Sequence, residues 1–90
     1  MPITLGLILK ELNDAKQRAT YGAVGKLVRR LPRSVMQGLP KNAAHCWVVL
    51  SDTEEPSGYH SAQLDPALRR NPHVIRDADE LKRWLEGRRV

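Results

Sequence analysis

Cys46 is the only cysteine of the chain, and it stands between His45 and Trp47 at the head of the apolar run Val48-Val49-Leu50. A thiol beside an imidazole becomes a nucleophile when the histidine takes its proton. Read instead as a buried strand residue, the same cysteine is a small hydrophobe with no chemistry. His60 and His73 have no metal-ligand spacing with it, so neither a metal nor a cofactor is expected. A second grouping concerns charge. Residues 15–51 contain no acid but carry Lys16, Arg18, Lys26, Arg29, Arg30, Arg33 and Lys41, while all ten acids lie elsewhere. Singly, Lys26, Arg29 and Arg30 read as solvated charges. Together they read as an electrostatic footprint for a polyanion, giving salt-dependent, sequence-independent affinity.

The elements that must position these residues follow from periodicity. Leu5, Ile8, Leu9 and Leu12 repeat at helical spacing behind Thr4, which predicts a helix near residues 4–17. Thr20 caps a second helix over 20–31 with a buried stripe of Tyr21, Val24, Leu27, Val28 and Leu31. Pro32 marks a joint, and a third helix over 33–39 would bury Val35, Met36 and Leu39 while turning Arg33, Ser34 and Gln37 outward. Gly38 and Pro40 stop it. Residues 46–50 read as a strand, 52–58 as a turn, 64–71 as a helical turn around Asp65-Pro66, and 73–75 as a second short strand. Asp77 with Glu80 opens a last helix that buries Leu81, Trp84 and Leu85. The mixed charges after Leu64 read as a solvated helix face.

Ninety residues with 41% hydrophobic and 28% charged content make one globular domain, 1–90, of α+β class. Two helices at a tight joint, followed by a short strand pair, predict a small winged-helix or helix-turn-helix domain. A net charge of +5 favours a polyanionic partner. No run approaches the ~18 apolar residues that a membrane span needs. The first twelve residues lack a basic leader and a cleavage site, and one cysteine excludes an internal disulfide. A cytoplasmic monomer without membrane contact is the expectation.

From Thr20-Tyr21-Gly22-Ala23-Val24 onward the sequence resembles the DNA-binding domain of alkylguanine-DNA alkyltransferases and their alkyltransferase-like relatives. The pattern continues through Pro32-Arg33-Ser34-Val35-Met36-Gln37-Gly38-Leu39, Asn42, Trp47-Val48-Val49 and Ser57-Gly58-Tyr59, covering residues 18–60. The resemblance implies a winged helix whose recognition helix enters the minor groove and turns a damaged nucleotide out of the stack. It implies that Arg33 fills the vacated space, that Tyr21 presses on the target phosphate, and that Asn42 supports the turn before the active-site strand. Matching Val48-Val49 to the family's paired valines sets Trp47 at its arginine, Cys46 at its histidine and His45 at its cysteine. A one-residue gap returns Cys46 to the nucleophile position but puts Trp47 at the base. In neither alignment is the Cys-His pair intact, so the resemblance points to the non-catalytic, lesion-binding branch.

The expected partner is therefore double-stranded DNA, contacted through Tyr21, Lys26, Arg29, Arg30, Arg33, Ser34, Gln37, Lys41 and Asn42. An extrahelical alkylated guanine would sit among His45, Trp47, Ser57 and Tyr59, and a repair-pathway protein would read the flagged lesion. The alternatives are a small DNA-binding regulator without lesion recognition and a suicidal alkyltransferase using Cys46. For Tyr21 and Trp47 a plain core role stands beside the functional one.

Overall fold

The computed structural model describes residues 3–31, 34–39, 42–56, 58–59, 61–68, 70 and 72–88. Three helices, α1 (Leu5–Ala15), α2 (Tyr21–Val28) and α3 (Ala78–Gly87), pack around a sheet of three parallel strands, β1 (Arg18–Thr20), β2 (Val48–Val49) and β3 (Val74–Ile75). It is a small α+β domain, and no helix among the described residues is long and apolar enough to cross a membrane.

The helix starts form where the sequence supplies caps. The Thr4 hydroxyl accepts from the Leu7 amide at 3.2 Å, the Thr20 hydroxyl from Ala23 at 3.1 Å, and the Asp77 carboxylate from Asp79 at 3.0 Å. Each cap satisfies an amide that the helix itself leaves open. The apolar stripes then meet: Ile8, Leu9 and Leu12 of α1 and Ala23 and Val24 of α2 share one core with Val35, Trp47, Val48, Ile75, Leu81 and Leu85. Trp84 is half-buried at the edge of this core, with the Arg88 guanidinium 5.0 Å from its ring centroid.

The strand pair expected from residues 46–50 and 73–75 is a three-stranded sheet, because Arg18–Thr20 lies between the two and pairs with both. Ala19 opposes Val48 on one side and Ile75 on the other. All four residues from Gln17 to Thr20 are buried although three are polar, and hydrogen bonds to distant segments hold the Gln17 and Arg18 side chains. The Gln17 side-chain amide donates to the His73 carbonyl at 2.8 Å, and an Arg18 guanidinium nitrogen donates to the Glu54 carbonyl at 3.0 Å. That second bond anchors the 50–56 loop, which Arg76 clamps from the other side through the Ser51 carbonyl and the Glu54 carboxylate.

Two further differences concern the acid-free stretch. Helix α2 ends at Val28 rather than Leu31, because Arg29 turns into the left-handed region at φ 60. Leu31 is consequently 59% exposed instead of buried. The third helix expected over 33–39 is, in its described part, a series of i to i+3 turns. Ser34 donates to Leu31, Gln37 to Ser34 and Leu39 to Met36, at 2.9, 3.3 and 3.2 Å. Gly38, at φ 83, closes the segment; a Cβ there would touch nothing, so the requirement for glycine is conformational alone. The burial pattern nonetheless follows the expected stripe, with Val35 buried, Met36 and Leu39 half-buried and Gln37 exposed.

Arg88, at the C-terminal end of α3, is tied to the middle of α1, its Nε donating to a Glu11 carboxylate oxygen at 2.7 Å. That hydrogen bond, against the opposing effect of burial, holds the Glu11 carboxyl below its ordinary value near 4.5. A carboxyl depressed in the folded state stabilises the fold above its unfolded pKa, and this contribution disappears as pH falls through the folded value. The urea midpoint of the wild type should therefore drop on acidification below the usual carboxylate range. Glu11→Gln should show a shallower drop in that window; an identical pH profile for the two proteins would contradict the linkage.

Candidate nucleic-acid interface

The seven cations of the acid-free stretch divide by what surrounds them. Arg18 is buried in the sheet, as described above. Lys16 sits just beyond α1 in the left-handed conformation, φ 56, pairs with Asp65 at 3.0 Å and lies 5.4 Å from the Trp47 ring centroid. The fixed contacts of these two cations are structural. Lys26, Arg29 and Arg30 are exposed and make no ion pair among the described residues. Arg33 and Lys41 lie outside the described residues.

Arg29 is held where it is by the backbone. Its amide donates to Lys26 and that of Arg30 to Gly25, at 3.4 and 2.8 Å, which is the paired closure usually built on a glycine. An L-residue with a side chain at this position costs roughly 1–2 kcal/mol. A cation there gains from the helix C-terminal dipole, but that gain is smaller in an exposed setting. Arg29 and Arg30 also form one wall of a cleft of about 380 Å³, completed by Ile3, Thr4 and Leu5 at the start of α1 and by Leu27 and Val28. Beyond them Leu31 projects, and its carbonyl accepts both the amide and the hydroxyl of Ser34 at 2.9 Å. Gln37 is exposed on the turn that follows.

The second group of expected residues gathers around the Ala43–His45 3₁₀ turn. Asn42 caps that turn: its side-chain oxygen accepts from the Ala44 amide and its carbonyl from His45, both at 3.0 Å. This is a turn-supporting position. The half-buried Tyr59 donates its hydroxyl to the His45 carbonyl at 3.0 Å. Burial, with smaller contributions from Tyr21 and Cys46, pushes its phenol up to about 12, so it remains a neutral donor. Tyr21 is half-buried against the core at the start of α2.

His45 lines an open cavity of about 400 Å³ with Leu5, Gly6, Leu9, Lys10 and Asn13 of α1 and with Leu39 and Ala44. Its volume falls within the general range of small-molecule sites. Trp47 does not line it. The indole has no exposed surface, and its Nε1 donates to the Asn13 side-chain oxygen at 2.8 Å. The pocket-wall assignment of Trp47 thus gives way to a core one, with the indole held toward α1 by its bond to Asn13. Ser57 lies outside the described residues.

Cys46 is also fully enclosed, and the Asp65 amide points at its sulfur from 3.5 Å. Burial raises the thiol pKa above its ordinary value, more than nearby hydrogen bonds lower it. A thiol so placed is a poor nucleophile. Periodicity had no way to find Leu5, Leu9 or Leu39 as cavity residues, because their stripe reads as core. Comparison of the chain with family models, with curated proteins and with solved structures gave no match in any of the three.

Proposed function

We propose that this protein binds duplex DNA without altering it chemically, using the end of α2 and the turns after it, and holds an extrahelical alkylated guanine as a mark for repair. The observation that carries the reading is the trio Lys26, Arg29 and Arg30: exposed, without ion pairs among the described residues, in a stretch with no acid. Surface cations that serve the fold are paired, as Lys16 and Arg88 are. Cations kept free on one side are suited to phosphates. In this reading α2 and the turns over 34–39 act as a helix-turn-helix within a winged-helix arrangement, and the clamped 50–56 loop is its wing. Arg33 and Lys41 extend the same footprint, and Ser34 and Gln37 face the backbone or base edges.

The lesion half of the reading rests on the cavity beside His45 and on the neutral Tyr59 hydroxyl that fixes the His45 backbone. The enclosed, undissociated thiol of Cys46 favours binding over alkyl transfer. A free thiol also accords with action in the reducing cytoplasm.

Fluorescence anisotropy with two matched duplexes, one carrying a single guanine methylated on its exocyclic oxygen, tests both halves. Tighter binding to the damaged duplex, weakening steeply as salt rises, is the expected result. Equal, salt-sensitive binding to both would leave a general DNA-binding regulator. Absence of salt-sensitive binding to either would remove DNA as the partner. Incubation with benzylguanine should leave the intact mass unchanged; an adduct on Cys46 would establish the transferase.

A further inference from the structure

Leu31 belongs by spacing to the buried stripe of α2, three residues beyond Val28. A helix running one turn further would cover it. The left-handed Arg29 ends the helix first and carries Leu31 off the apolar face into solvent. Among the described residues it is the most exposed large hydrophobic side chain, at 59%, with Leu50 next at 38%. An isolated surface leucine needs no explanation in general. Three features set this one apart.

Its backbone is pinned, because one carbonyl oxygen takes both the amide and the hydroxyl of Ser34 at 2.9 Å. Its preceding neighbours, Arg29 and Arg30, are exposed cations without ion pairs among the described residues. It also follows directly on the strained cap at Arg29, so the chain accepts a left-handed side chain at the very step that turns Leu31 outward. A protein-docking surface would need a contiguous apolar patch of several hundred Å². A single leucine flanked by phosphate-binding arginines has the composition of a stacking wedge, in which cations hold the backbone while an apolar side chain enters a base step.

We infer that Leu31 is such a wedge: on duplex DNA it inserts between two base pairs, unstacks that step, and opens the helix beside the cations that hold the phosphates. The inference rests on the duplex-binding reading and gives it a mechanism. The backbone lock at Ser34 matters here, since a wedge must keep its direction while pushing bases apart. Leu50, exposed on a different loop, supplies an internal control.

The test uses the full chain and short duplexes carrying 2-aminopurine at successive positions, whose fluorescence rises when the base is unstacked. Wild type, Leu31→Ala, Leu31→Phe, Leu50→Ala and Arg33→Ala are compared at saturation, with circular dichroism confirming equal folding. The expected result is a severalfold rise with wild type, Leu31→Phe and Leu50→Ala, and no rise with Leu31→Ala. Leu31→Ala should also bind roughly tenfold more weakly with an unchanged salt slope, because only apolar contact is lost.

A rise retained by Leu31→Ala, or lost only in Arg33→Ala, overturns the inference and moves the wedge role to the arginine. Salt-dependent binding by wild type without any rise overturns it too, while leaving duplex binding intact. No binding by any of the proteins brings down the duplex-binding reading itself.

Discussion

Trp47→Ala is expected to abolish the cooperative unfolding transition at room temperature. Trp47 is the largest side chain with no exposed surface, and it ties the sheet to α1. Its carbonyl accepts from Ala19 of the central strand at 2.9 Å, its indole N–H binds Asn13 of α1, and Lys16 stands over its ring. Truncating a buried tryptophan to alanine costs about 3–5 kcal/mol. A domain of this size has only about 5–10 kcal/mol in all. The substitution also leaves the Asn13 oxygen without its indole donor, adding about 1–3 kcal/mol if water does not replace it. Trp47→Phe is the milder change, because it removes the N–H but only part of the buried ring volume. It should remain folded with a lower urea midpoint. Far-UV circular dichroism reads both variants; an alanine variant as stable as wild type would show that the core does not depend on this side chain.

The second large effect is on binding. Replacing Lys26, Arg29 and Arg30 together by alanine should lower the slope of log affinity against log salt by about 2.7, at ~0.9 per lost phosphate contact. At moderate salt this corresponds to a loss on the order of a hundredfold or more in duplex affinity. Stability should change little, since exposed residues outside ion pairs contribute within about 0.5 kcal/mol each. Arg29→Ala stays left-handed at similar cost, so the end of α2 is preserved. A triple variant with the wild-type salt slope would rule these three residues out as the footprint and take the proposed function with them.

Much of the fold is legible because its signals are local. Thr4, Thr20 and Asp77 are cap residues ahead of periodic stripes, and all three cap. Val48-Val49 and Val74-Ile75 are β-branched pairs, and both are strands. The central strand is not legible: Arg18-Ala19-Thr20 is short and polar, and becomes a strand only because partners arrive on both sides from residues 48–49 and 74–75. The end of α2 is hidden for a related reason. A glycine would have announced the left-handed turn, but Arg29 occupies it, so by spacing the stripe runs on to Leu31. In the candidate site, Asn42, His45 and Tyr59 meet at one turn, brought together only by the chain's folding, whereas Trp47 shows how little a two-residue strand says about which face a neighbour takes.

Thr20 is at once the last residue of the middle strand, opposite Val49, and the N-cap of α2. No linker separates sheet from helix, so α2 has no hinge on which to swing. A helix on a flexible tether surrenders rotational freedom when it docks, and that loss weakens the complex. Here the cations at the far end of α2 arrive already aimed. In the proposed complex, reshaping would fall to the nucleic acid, and encounter would proceed at the pace set by diffusion and charge attraction, with no protein rearrangement to wait for.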